Sequence, residues 1–99
     1  MKFLVESEIF PEAPVELLAE ALERTKGQVG RSDSGVVVEC VYGVLGRRGA
    51  VAICEAPDGE TLHRLLASAP LFHYERFTVT PLVSFEESLT AMAQAAARG

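Results

Sequence analysis

Apolar and polar positions alternate from Lys2 to Ile9, with Phe3, Val5 and Ile9 on one side and Lys2, Glu6 and Glu8 on the other. That period of two predicts a strand. Pro11 and Pro14 end it, and Pro14 suits the first turn of a helix, where a missing N–H costs nothing. From 14 to 26 the spacing changes: Val15, Leu18, Ala21 and Leu22 recur on one helical face, with Glu16, Glu20, Glu23 and Arg24 outside. Gly27 and Gly30 weaken its end, and the polar run 31–35 predicts a loop.

Valine-rich residues 36–45 and residues 50–55 predict two further strands joined through Gly46-Arg47-Arg48-Gly49, whose glycines can take positive φ. Pairing across this turn sets 44, 42 and 40 beside 51, 53 and 55, and sets 45, 43, 41 and 39 beside 50, 52, 54 and 56. The first group carries Val44, Tyr42, Val51 and Ile53 and is the expected core face. Asp58 is placed to cap a second amphipathic helix, built on Leu62, Leu65, Leu66 and Ala69 and stopped by Pro70. A fourth strand over 72–80 sets Phe77 and Val79 against Arg76, Thr78 and Thr80. Ser84 with Glu87 three residues on forms a capping box for a short alanine-rich helix.

The order β-α-β-β-α-β plus a C-terminal helix predicts an α+β, ferredoxin-like fold with a four-stranded antiparallel sheet. Right-handed crossovers put the first strand inside the sheet, next to the third and fourth. Residues 1–83 form the domain and 84–99 a helical tail. Both helices lie on one side, leaving an outer face with Leu4, Glu6, Glu8, Val41, Gly43, Leu45, Ala50, Ala52, Cys54, Arg76, Thr78 and Thr80. A second copy of the chain is the expected cover, with the tail as the alternative. The small residues Gly43, Ala50 and Ala52 either allow close sheet packing or leave volume for a ligand beside Glu6, Glu39 and Arg76. Glu6 and Arg76 alternatively form a cross-strand ion pair.

The chain has 99 residues and a formal charge of −5, which allows one domain and argues against nucleic acid. No apolar run is long enough to span a membrane, and the start lacks the pattern of a signal peptide, so a cytoplasmic location is expected. Cys40 and Cys54 are expected to be reduced, and with His63 and His73 they make no zinc signature. No metal or cofactor is expected.

Thr61-Leu62-His63-Arg64-Leu65-Leu66, Ala69-Pro70-Leu71-Phe72-His73-Tyr74 and Phe77-Thr78-Val79-Thr80-Pro81-Leu82 resemble the muconolactone isomerase family. The family shares a Leu-His on the second helix, a Pro-Leu-Phe before the fourth strand and a Val-Thr-Pro-Leu near its end. The resemblance implies a dimeric α/β barrel, often in a larger ring-like oligomer. It also implies a cofactor-free proton shift on a small-molecule substrate, an enolisable lactone or ketone. Such chemistry needs a carboxylate base, a partner for the oxyanion and a dry cavity.

On that implication Glu6 or Glu39 serves as the base and Arg76 holds a substrate carboxylate, with Thr78 on the same face. His63 either packs against the core leucines or moves protons; His73 and Tyr74 either line a pocket mouth or cap the barrel. Were the cavity between sheet and helices instead, Tyr42, His63 and Lys26 would be its polar residues. The family's Glu-Lys pair late in the first helix is Thr25-Lys26 here, and its basic Arg-His-x-Trp-Arg reads Glu39-Cys40-Val41-Tyr42-Gly43. A less anionic substrate is therefore expected. Two other functions fit the same fold: a non-catalytic dimeric ligand-binding or interaction module, and a cofactor-free monooxygenase.

Overall fold

The computed structural model describes residues 1–98, so Gly99, the last residue of the expected tail, lies outside the described residues. The elements are β1 (Lys2–Ile9), α1 (Val15–Gln28), β2 (Ser32–Asp33), β3 (Val36–Gly43), β4 (Gly49–Glu55), α2 (Gly59–Ala67), a 3₁₀ turn (Phe72–Tyr74), β5 (Glu75–Leu82) and α3 (Phe85–Arg98). One antiparallel sheet has the order β2-β3-β4-β1-β5. The first strand lies between the two expected neighbours. The sheet has five strands rather than four because Ser32 and Asp33, within the expected loop, pair with Val37 and Val36. The expected fourth strand begins three residues late, since residues 72–74 form the 3₁₀ turn.

Both expected caps form. The Thr61 amide donates to Asp58 Oδ1 at 2.7 Å, and the Glu87 amide donates to Ser84 Oγ at 3.1 Å. That amide bond also holds the Asp58 carboxyl below its ordinary range. In the β3–β4 turn Gly46 takes φ +80°. Gly49 serves differently: it sits in β4, where a Cβ would run into the carbonyl oxygen of Ser7 on β1.

The face of the hairpin is reversed from the expectation, and a bulge explains it. Val38 pairs with Cys54 and Cys40 with Ile53, so Glu39 is an extra residue on β3. Before the bulge Val36 and Val38 point to the helices; after it, Val41 does, while Cys40 and Tyr42 turn to the outer face. An unbroken alternation would have kept 36, 38, 40 and 42 together. The pairing is also two residues out from the expected one, Gly43 rather than Leu45 meeting Ala50. The core therefore consists of Phe3, Val5, Val36, Val38, Cys54, Ala56, Leu62 and Leu65, with Val41, Ala52, Leu66 and Phe77 packed on it. Val51, Ile53 and Tyr42 belong to the outer face instead.

The two helices on the sheet contribute unequally. Leu62 and Leu65 of α2 are buried, whereas α1 buries none of its residues. At the other end α3 leaves the body with Phe85, Leu89 and Met92 exposed. The radius of gyration is accordingly 15.9 Å, against about 13 Å for a compact chain of roughly 100 residues. Among the described residues no helix is long and apolar enough to cross a membrane.

Candidate functional site

The shallow seating of α1 leaves a cavity of about 360 Å³ between that helix, the C-terminal part of α2 and the sheet. Its sheet wall includes Val5, Val38, Val41, Ala50, Ala52 and Cys54. These small β4 side chains are what keep the volume open. The sequence signal of clustered small residues thus lies at a cavity, but on the helix side of the sheet. Leu18, Ala21 and Leu22 of α1 and Leu65 and Leu66 of α2 complete an apolar enclosure.

Few polar groups line it: Ser7, Arg24, Thr25, Gln28 and Glu75. Glu75 opens β5 in register with Ile9 of β1, which places it on the helix-facing side with Phe77. It is half-buried, and burial pushes its carboxyl above the ordinary glutamate range, partly opposed by the Ser7 hydroxyl. Among the described residues it makes no ion pair. Arg24 is held at the rim: one terminal nitrogen donates to the Ser68 carbonyl oxygen and the other to Ser68 Oγ at 2.6 Å. The Gln28 amide is likewise engaged, donating to Asp33 Oδ2 at 3.0 Å. Cys54 faces the cavity floor, and burial pushes its thiol up, away from the thiolate a nucleophile needs.

The sequence-predicted residues fall elsewhere. Tyr42, Val51, Glu6 and Thr78 form one row across the outer face of the sheet, so Tyr42, Glu6 and Thr78 share one surface. Arg76 pairs in register with Glu8 rather than Glu6, and its guanidinium lies 6.0 Å from the Phe10 ring. Glu39, the bulge residue, accepts a 2.5 Å ion-paired hydrogen bond from Lys2 Nζ. His63 is exposed on α2, and Lys26 is exposed and ion-paired with Glu23 at 3.6 Å. His73 is exposed and stacks edge-on with Phe72, while Tyr74 is half-buried at the end of the same 3₁₀ turn. None of these eight predicted residues, nor Lys26, lines the cavity.

Glu75 carried a readable signal. The alternation that points Phe77 and Val79 inward, extended back by one step, puts a carboxylate on an apolar face. A strand taken to start at 72 hides this step, because its polar residues Arg76, Thr78 and Thr80 stand at the opposite parity. Among the described residues no group of three or more His, Cys, Asp or Glu is placed to hold a metal ion.

Comparison with known proteins agrees with the fold. A family model described as muconolactone delta-isomerase matches residues 1–88. A crystal structure of muconolactone isomerase at 3.3 Å resolution superposes with a TM-score of 0.68 at 22% identity, covering 85% of this chain and 90% of that one. No curated protein matches the chain.

Proposed function

The chain belongs to the muconolactone delta-isomerase family, and on that premise we propose that it is a cofactor-independent isomerase acting on an enolisable lactone or ketone. The observation that carries this reading is Glu75, a half-buried carboxylate on the wall of an apolar cavity. A carboxylate whose proton affinity is raised by burial can take a proton from carbon beside a carbonyl and return it at another carbon. The C–H electrons move into the dienolate as Glu75 takes the proton. The carboxyl proton exchanges with solvent, and Glu75 then delivers a proton to the other carbon, so the carboxylate is restored and no further reagent is consumed. Thr25 on α1 supplies a hydroxyl donor at the cavity wall for the enolate oxygen, while the Ser7 hydroxyl on β1 is held by Glu75. In this reading Glu75 takes the part that the sequence suggested for Glu6 or Glu39.

Residues 1–83 are the domain that performs this chemistry, with α3 (Phe85–Arg98) appended to it. A second copy of the chain covers the outer sheet face, where Leu4, Val51, Ile53 and Tyr42 leave apolar surface. The α3 helix buries none of its own residues and so offers this face no close cover within one chain.

The test is proton exchange in D₂O with a chelator present. Wild-type protein is incubated with a panel of unsaturated lactones and cyclic ketones, followed by proton NMR. Catalysed deuterium entry beside the carbonyl supports the isomerase. Binding of panel members with no exchange in any of them would instead support a non-catalytic binding module. Oxygen consumption with a phenolic substrate would support the monooxygenase.

A further inference from the structure

We infer that the cavity beneath α1 admits an uncharged, largely apolar lactone or ketone of small ring size and rejects one that carries a carboxylate. This specificity rests on the reading of the cavity as the reaction site. Its volume, about 360 Å³, lies at the small end of ligand pockets, which run from about 300 to 1,000 Å³. Apolar side chains from β1, β3, β4, α1 and α2 make most of its wall.

The charges decide the substrate class. Two ionisable groups other than Cys54 line the cavity, Glu75 and Arg24. Each terminal nitrogen of Arg24 gives a hydrogen to Ser68, which holds the guanidinium against the C-terminal cap of α2 instead of presenting it end-on to a ligand carboxylate. Glu75 makes no ion pair among the described residues, so its charge stands unneutralised on the wall. A second carboxylate brought against this largely apolar wall meets a like charge at Glu75, and the one cation of the lining, Arg24, is anchored to Ser68. A neutral carbonyl needs one hydroxyl donor, which Thr25 provides.

Calorimetric titration of the whole chain tests this with two probes. One is a methyl-substituted β,γ-unsaturated five-membered lactone; the other is the same ring with carboxymethyl in place of methyl. The uncharged lactone is expected to bind at least about tenfold more tightly. Glu75→Gln narrows that gap by tightening the carboxylate. Ala52→Leu, which fills the cavity floor, abolishes binding of the uncharged probe while circular dichroism stays native. Equal affinities, preference for the carboxylate, binding of neither probe, or undiminished binding by the folded Ala52→Leu chain would overturn the inference. Selective binding without deuterium exchange upholds it and removes the isomerase reading, so the two fail separately.

Discussion

Glu75 and Ser7 face the same cavity from neighbouring strands, and the hydroxyl opposes the rise that burial imposes on the carboxyl. The pair sits where β1 and β5 run antiparallel, Ser7 opposite Phe77 and Glu75 opposite Ile9. A carboxylate so placed is costly to ionise, and that cost has a sign that can be measured.

Because the folded chain holds the Glu75 proton more tightly than the unfolded chain, this proton contributes stability fully present below the ordinary glutamate value of 4.5. It is lost as pH rises through the raised folded value. Glu75→Gln mimics the protonated side chain. It should therefore be more stable than wild type at neutral pH, with the two denaturation midpoints converging as pH falls below 4.5. Urea titrations across that window check the prediction; a Gln variant less stable at neutral pH would contradict the burial argument.

Gly49 has no room for a side chain, because the β1 backbone at Ser7 occupies the place of its Cβ. The obstacle is backbone in the sheet's centre and cannot rotate away. Gly49→Ala should cost roughly 1–3 kcal/mol of stability by forcing β4 and β1 apart. Gly43→Ala meets nothing within 4 Å and should stay within about 0.5 kcal/mol in the same denaturation assay.

The Arg24 guanidinium ties α1 to the C-terminal cap of α2 at Ser68. Since α1 buries no residue fully, this tether adds to the half-buried contacts of Leu18 and Ala21 and to the Gln28–Asp33 bond in holding the helix over the cavity. Arg24→Met keeps the stem and removes the bonds, at about 1 kcal/mol. Hydrogen exchange should accelerate in α1 while β1 amides remain protected. Uniform acceleration through the sheet would mean that α1 is not a separately opening unit.

Ile53 lies on the outer face with Leu4 beside it in register. With this face paired to a second copy, Ile53→Lys places a charge in the contact, and the variant should sediment as a monomer where wild type sediments as a dimer or a multiple of it. A wild-type chain that is monomeric at micromolar concentration would remove the pairing.

Element type was legible because period-two and helical spacings were strong: Lys2–Ile9 was read to the residue, and the Asp58 and Ser84 caps were plain. What could not be read was Glu39. Nothing in Val36-Val37-Val38-Glu39-Cys40 announces that one residue is extra, yet that bulge turns Cys40 and Tyr42 outward and selects which half of the hairpin meets the helices. The cavity followed the same fault line. Ala50 and Ala52 signal spare volume, but an unbroken alternation sets them beside Glu6, Glu39 and Arg76, whereas the bulged hairpin turns them to the cavity that Glu75 lines. The two-residue strand at Ser32–Asp33 is too short for any periodicity.

The central claim is that the cavity carboxylate moves the proton, and side-by-side deuterium exchange in wild type, Glu75→Gln and Glu6→Gln tests it most directly. On a lactone that wild type turns over, Glu75→Gln should lose at least about a hundredfold in rate, while Glu6→Gln exchanges at the wild-type rate. Exchange that survives in Glu75→Gln and disappears in Glu6→Gln would move the site to the outer face of the sheet and contradict the account.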